Sequence, residues 1–450
     1  MAENNLQRRL GIFPATNIVI ANMIGAGIFT TSGLLLAGLN NPLLMLALWV
    51  AGGILALCGA LSYGELGAAM PGAGGEYLFL SRLYHPVFGF LSGWVSFIVG
   101  FSAPIAASAM GFSEYFCRAL PVIPGWFQSS GIMDPAATKT FLSVSVILIF
   151  SFIHYRGIHS GALIQNILTI LKVTLIVFLL LAGFLSGKGD ISHFRSVGGV
   201  SSGLAGWKTI GLSLMWIMFA YSGWNASTYL GAEIKNPVKT LPRSLILGTG
   251  IVIFLYLSIN VLFVYGIDPE EMKGVISVGG LAMGNLFGPS ADKLFSLLIA
   301  FALFSSLSAF IIIGPRVYYS MAKDGLFFKS VARIHPKFQV PSNSIVMQCI
   351  LALILALSGT FEQVLTYMGF ALGIFPILTV ISVFKLRKDN PSGLRLAGYP
   401  FTQIIYITTG ILILILSFME RPVESSIASF TVLAGVPVYY IFKKQTQLKS

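Results

Sequence analysis

The sequence predicts an all-α polytopic membrane protein with twelve transmembrane helices. They form two inverted five-helix repeats, helices 1–5 and 6–10, followed by helices 11 and 12, with helices 1 and 6 broken. Composition is the first ground. The 450 residues are 56% hydrophobic and only 10% charged, whereas a soluble chain carries about 25% charged residues, so this chain could not cover its surface in water. Spacing is the second. The charges cluster between apolar runs of about 20 residues, the length that crosses a hydrocarbon core roughly 30 Å thick. Backbone in lipid must satisfy its own hydrogen bonds, so these runs are helices. The third is the sidedness of the charges. With the N-terminus inside, the expected cytoplasmic segments hold nineteen of the 28 Lys and Arg, Lys337 and Lys449 among them. The outer segments hold eight, and Lys172 is the one left over. This asymmetry predicts a multi-pass protein of the cell membrane with both termini cytoplasmic. The net charge of +12 then belongs to topology and to anionic lipid headgroups; membrane lipid is an expected partner and nucleic acid is not.

The first run, 12–38, follows Arg8 and Arg9 in MAENNLQRRLGIFPATN. No small-residue cleavage site precedes a soluble domain, so this start reads as a cytoplasmic tail and not a cleaved signal. Runs at 42–69, 86–117, 140–155 and 159–187 complete a first repeat over 12–187, with 140–155 the shortest. Runs at 207–232, 243–267, 291–322, 341–358 and 361–384 make a second repeat over 207–384. Runs 401–419 and 423–442 lie outside the repeat. The longest loops are about 20 residues, too short for a soluble domain, so residues 1–450 make one transmembrane domain. Cys58, Cys117 and Cys349 show neither metal spacing nor a disulfide framework; inside a span, cysteine is a small packing residue.

The first and sixth runs are interrupted alike. The first reads IANMIGAGIFTTSG, with Gly25 and Gly27 bracketing Ala26, and the sixth reads FAYSGWNASTYLGAE, with Ser222 and Gly223 at its middle. Five spans separate the two, an odd number, so the second copy enters the membrane from the opposite side. That is the trace of inverted repeats with a binding site where the broken helices face each other. Glycine also serves close packing in membrane helices, but matched positions and the polar Ser-Gly-Trp-Asn sequence favour true breaks. An unwound segment is tolerable only beside a polar cavity. The half-helix beginning near Gly27 would aim N–H groups and a positive dipole end at that cavity, which suits a carboxylate. The C-terminal end of a half-helix offers carbonyls, which suit an ammonium. One site with both ends exposed fits a zwitterionic α-amino acid.

Lys172 is the lone charge of its run, 15 residues past Gly157 and so about 22 Å along a helix. An ionisable group that deep is a functional candidate by default, as a fixed cation in place of a bound metal or as a proton carrier. Glu65 and Glu76 fall near the expected cytoplasmic interface; a proton-coupling carboxylate is one reading of them, and a hydrogen-bonding structural role is the favoured one. Tyr221, Ser222 and Asn225 cluster at the second break, flanked by Phe219 and Trp224. Ser305, Ser306 and Ser308 form a polar patch in the eighth run. The chain has no P-loop, no metal-ligand cluster and no nucleophile with a base and orienter. ATP coupling, a cofactor, a resident metal and enzymatic activity are therefore not expected. An ion channel is the alternative class, and paired broken helices argue against it.

Several stretches resemble the amino acid–polyamine–organocation superfamily, and within it the L-type amino acid transporters. GAGIF in the first run resembles the superfamily's GSGIF, and YGELGAAMPGAGGEYLFLSRLYHPVFGFLSGW resembles its helix 2 to helix 3 signature. FAYSGWN followed by GAEIKNP resembles the L-type helix 6 motif, QNILTILK the helix 5 lysine segment, and PRVYYSMAKDGLFF the motif after helix 8. The resemblance implies sodium-independent amino acid exchange or proton-linked uptake, with exchange the leading expectation. It implies that Gly25, Ala26 and Gly27 bind the substrate carboxylate while the Met23 carbonyl helps hold the amino group. Phe219, Ala220 and Ser222 would lend helix 6 carbonyls, Phe219 also as a gate, with Asn225 a polar contact. Lys172 would stand where sodium-coupled relatives bind sodium, touching helix 1 backbone, with Ser306 as its hydroxyl partner. Two residues depart from the pattern. Ala26 replaces the serine of GSG, which removes a hydroxyl, and Ser222 stands where the L-type pattern often has glycine, which narrows the pocket. Eukaryotic members pair with a heavy chain through an extracellular cysteine. Cys117 is not in a matching motif, so no obligate heavy chain is expected. With no carboxylate evident at the breaks, the expected substrate is a neutral, small or medium amino acid.

Overall fold

A computed structural model describes residues 8–156, 161–195, 198–335, 338 and 340–447. The first seven residues of the expected tail, Lys337, Lys449, and the stretch from Gly157 to Ser160 ahead of the Lys172 helix lie outside the described residues.

The first run folds as α1 (Ile12–Met23) and α2 (Ala26–Leu39), and the second as α3 (Pro42–Ala69). Asn41 starts α3: its side chain accepts from the Leu44 N–H at 2.9 Å, with Pro42 in the first turn, where a missing N–H costs nothing. A short helix, α4 (Glu76–Leu83), precedes α5 (Pro86–Val95). One π-helical turn (Ser96–Gly100) links α5 to α6 (Ser102–Ala119). After α7 (Val122–Ser129) comes α8 (Pro135–Tyr155). Its cap is Asp134, which accepts from the Ala137 N–H at 2.6 Å. This cap lengthens the shortest expected run from its start at 140 back to Pro135. Lys172 lies in α9 (Gly161–Leu185).

The sixth run gives α10 (Leu204–Ala220), followed by 3-10 turns at Ala226–Tyr229 and Gly231–Glu233. Next come α11 (Pro237–Gly266), the short α12 (Pro269–Met272) and α13 (Val278–Phe287), and the 35-residue α14 (Pro289–Lys323). The chain ends in α15 (Ser342–Ser358), α16 (Phe361–Asp389), α17 (Phe401–Glu420) and α18 (Pro422–Gln447). A Thr360–Gln363 capping box opens α16. Short helices α4, α7, α12 and α13 were not among the expected runs; none is long enough to span lipid.

Among the described residues, ten helices are long and apolar enough to cross a membrane, taking α1 with α2 and α5 with α6 as single crossings. The sixth and ninth expected runs fall in α10 and α15, each of 17 residues. The broken helix α1–α2 lies almost wholly inside the bundle, whereas α8, α17 and α18 stand at its edge. Their outward side chains are apolar, Phe152, Ile404 and Phe430 among them, as a lipid-facing surface requires. Inside, α3 packs on α11, α6 on α14 and α1 on α11, and these contacts hold the two breaks together.

Candidate functional site at the two helix breaks

The first helix stops at Met23. Ile24 leaves helical geometry at ψ 86, Gly25 is extended, and the Gly25 N–H turns back to the Met23 carbonyl at 2.8 Å. Helix resumes at Ala26, beside Gly27 as expected, so the unwound segment is Ile24–Gly25. Ala26 and Gly27 begin α2, and first-turn N–H groups have no acceptor within their own helix. They face the site with the positive end of the α2 dipole.

The sixth helix stops at Ala220, and Tyr221–Asn225 form a turn. Gly223 sits at φ +96, a region open to glycine and strained for other residues. A Cβ there would lie 2.8 Å from the Asn22 carbonyl carbon, and a Cβ on Gly27 would lie 2.7 Å from the Ala220 Cα. Both glycines are therefore required by close approach, and the two breaks touch. The Phe219 ring lies against Gly27.

Tyr256 of α11 ties the breaks together. Its buried hydroxyl is 2.6 Å from the Met23 carbonyl and 3.0 Å from the Ala220 carbonyl. Met23 also accepts from Gly25, and a carbonyl has two lone pairs, so its acceptor capacity is taken in this conformation. Any further donor to the Met23 carbonyl would have to displace one of these two. In the sequence Tyr256 shares its run with Thr249, Ser258, Asn260 and a second phenol, Tyr265, so nothing local singles it out.

Lys172 is 1% exposed. Its ammonium donates to the Ala21 carbonyl at 3.2 Å, to the Ile24 carbonyl, and to the Ser306 hydroxyl at 3.0 Å. Those three acceptors match the three N–H donors of an ammonium. Ser306 in turn donates to the Ile24 carbonyl at 2.7 Å. The lysine thus braces the unwound segment from behind. Of the neighbouring serines, Ser308 bonds His154 at 3.0 Å, and Ser305 is buried.

Three cavities meet at Asn22. The smallest, about 10 Å³, is lined by Met23, Gly25, Ala26, Gly27, Phe219, Ala220 and Ser222, so these expected site residues do converge. It has room for one water and no more. A cavity of about 120 Å³ adjoins it through Phe219 and Ser222 and is lined also by Asn225, Glu76, Trp224 and Tyr406. A third, of about 400 Å³, runs from Asn22 along α1 to Leu10, between α1, α9, α14 and α15. It approaches the site from the end of the bundle where α1 begins. Toward the opposite end, Tyr115 donates to the Phe29 carbonyl at 2.6 Å, and Arg118 grips Asp292 at 2.6 and 2.7 Å.

Tyr221 does not join the other candidates. Its hydroxyl donates to the Trp49 carbonyl at 3.2 Å and its ring packs on Trp49 and Tyr256, away from all three cavities. The side chain after a helix end points where the last turn sends it, here toward α3. The two acids expected to share a structural role divide. Glu65 takes two hydrogen bonds from Arg387, at 2.9 and 2.5 Å, and one from the Leu396 N–H. Glu76 lines the middle cavity and accepts from Asn225. A carboxylate therefore does lie beside the second break, contrary to the expectation that none would.

The sequence profile of the amino acid permease family matches residues 10–442. The chain is 30% identical to the serine/threonine exchanger SteT of Bacillus subtilis (strain 168), over 98% of each chain. It is 26% identical to the b(0,+)-type amino acid transporter 1 of Mus musculus, over 97% of this chain and 88% of that one. It is also 26% identical to the large neutral amino acids transporter small subunit 2 of Homo sapiens, over 97% and 80%. A profile match over nearly the whole length, on a bundle of membrane-length helices with two touching breaks, leaves one conclusion. The chain belongs to the amino acid permease family of the amino acid–polyamine–organocation superfamily, with a resemblance to the L-type branch: it is a multi-pass membrane transporter and not an enzyme.

Proposed function

We propose that this transporter is a sodium-independent exchanger of neutral L-amino acids that works by alternating access. Lys172 is the observation that carries the sodium-independent reading; the neutral class rests on the names of the relatives. Its ammonium takes up the Ala21 and Ile24 carbonyls and the Ser306 hydroxyl, the oxygens at the break that a metal cation would otherwise use. A fixed cation there repels sodium. The α2 N-terminus at Ala26 and Gly27 would receive the substrate carboxylate. The Met23 and Ala220 carbonyls would receive the ammonium once Tyr256 gives way. Ser222 and Phe219 would bound the side chain.

The architecture proposed for this carrier has twelve spans, two inverted five-helix repeats, α17 and α18 outside them, and both termini in the cytoplasm. The 400 Å³ cavity beside α1 would then be the cytoplasmic approach. Contact between Gly27 and Ala220 supports a carrier over a channel, because a continuous pore needs the breaks apart. The names of the relatives, a serine/threonine exchanger and a large neutral amino acid transporter, point the same way. No heavy chain is proposed; Cys117 is buried, which disfavours a bond to a partner. Proton-coupled symport is the second reading, favoured by the cavity-lining Glu76.

Counterflow in proteoliposomes tests the function. Unlabelled neutral amino acids loaded inside should drive uptake of labelled serine in sodium-free buffer. Uptake that ignores the internal amino acid, or that demands sodium, would overturn it.

A further inference from the structure

Glu76 begins α4, an eight-residue helix outside the membrane-length helices. It is 7% exposed. Tyr63 donates to its Oε1 at 2.7 Å, Asn225 to the same oxygen at 2.9 Å, and Ser92 to its Oε2 at 3.3 Å. All three donors are neutral. Among the described residues no cation pairs with it, in contrast to Glu65 on Arg387. The titratable groups facing it are phenols: Tyr63 of α3, Tyr229 of the 3-10 turn and Tyr406 of α17. From α5 comes Ser92, and α16 brings apolar Phe375 and Pro376 to the same cavity. On α4 itself, Tyr77 is taken by Asp324 of the α14 end at 2.5 Å.

A buried carboxylate without a cation stays charged only if its hydrogen bonds offset the lost hydration. Three neutral donors and the start of α4 favour the anion; burial opposes it. Burial is the larger influence and raises the carboxyl above its ordinary range, while the bonds from Tyr63, Ser92 and Asn225 pull it back.

We propose that Glu76 is a proton-binding site of this carrier, and that its protonation state sets how firmly Asn225 holds the turn that follows α10. The proton comes from water entering the middle cavity, and the O–H bond is the only bond made. When Glu76 is neutral, the Tyr63 and Ser92 hydroxyls can turn round and accept. The Asn225 amide N–H can only donate, and its bond loses the charge assistance that roughly doubles such a bond. Asn225, which also donates to the Tyr229 hydroxyl at 3.4 Å, is therefore the partner whose hold weakens most. It closes the same turn that holds Gly223 against Asn22, so acid loosens the second break.

The test rests on the exchange activity proposed above and uses serine counterflow across a pH series, with equal pH inside and out. Wild type should speed up several-fold toward acid along a single-proton curve. Glu76→Gln should be flat and near the acid rate, Glu76→Asp should still titrate, and Ser92→Ala, which removes a donor to the anion, should move the midpoint to higher pH. A wild-type profile in Glu76→Gln would overturn the assignment. So would a defect of that variant confined to competition by lysine or arginine, which would make Glu76 a fixed anion for cationic side chains. Infrared difference spectra need no transport: acidification should raise a protonated-carboxyl band that Glu76→Gln lacks, and a band that persists in the variant counts against Glu76. If wild type carries no amino acid yet shows the band, the exchange reading fails and the proton site stands.

Discussion

The Tyr256 hydroxyl lies 2.6 Å from the Met23 carbonyl, and its single proton is shared with Ala220 at 3.0 Å. A phenol therefore occupies the oxygens proposed to hold the substrate ammonium. Tyr256→Phe should free both carbonyls at a cost of about 1 kcal/mol of hydrogen bonding, a factor of roughly five. The apparent KM for serine should fall by about that factor while turnover slows, because the breaks lose their tie. Counterflow kinetics read both quantities; an unchanged KM would remove Met23 and Ala220 from the substrate site.

Lys172→Ala takes the donor from the Ala21 and Ile24 carbonyls. Hydrogen bonds to a charged group are worth about 1.5–3 kcal/mol each, so exchange should drop by roughly tenfold or more. Folding should suffer less, because the methyl group leaves no buried charge behind. Elution of the purified variant as a single species, beside its counterflow rate, separates the two effects. A variant that exchanges at the wild-type rate would reduce the lysine to a packing element.

Uptake in choline and sodium buffers should coincide. The ammonium of Lys172 sits against the carbonyl oxygens of the break, and a second cation there meets direct repulsion. Accumulation of substrate driven by a sodium gradient would contradict this.

Ser222 lines both the small and the middle cavity, so its side chain limits what passes between them. Ser222→Gly should widen the range toward phenylalanine and tryptophan, with each added methylene worth about 1–3 kcal/mol in such a pocket. Competition against labelled serine, in wild type and variant, gives the ranking. An unchanged ranking, or arginine as the best competitor of wild type, would mean that Ser222 does not bound the side chain.

Much of the helical architecture was legible in the sequence because hydropathy is a local property. Apolar runs placed most helices to within a few residues, but the sixth, expected to reach 232, is α-helical only to Ala220 and continues in 3-10 turns; the shortest run begins earlier than expected, at the Asp134 cap. The two interruptions were legible for the same reason: glycine at Gly25 and Gly27 and the polar turn at Ser222 and Gly223 mark where a helix cannot continue quietly. The depth of Lys172 needed only its distance along one helix. What these signals could not supply was any pairing across the bundle. Tyr256 and Met23 are 233 residues apart, and nothing in either neighbourhood names the other. Glu65 and Glu76 look alike in sequence, yet α16 brings Arg387 to the first and the turn after α10 brings only Asn225 to the second. Tyr221 belongs to the second break by position, but the direction of its Cα–Cβ bond sends the ring to Trp49. Sequence thus determined that the chain is a bundle of membrane-length helices and where two of its runs unwind. Tertiary packing decided which oxygens are already taken, which acid lacks a cation and which side chains reach the cavity, because those depend on helices that meet only once the bundle has formed.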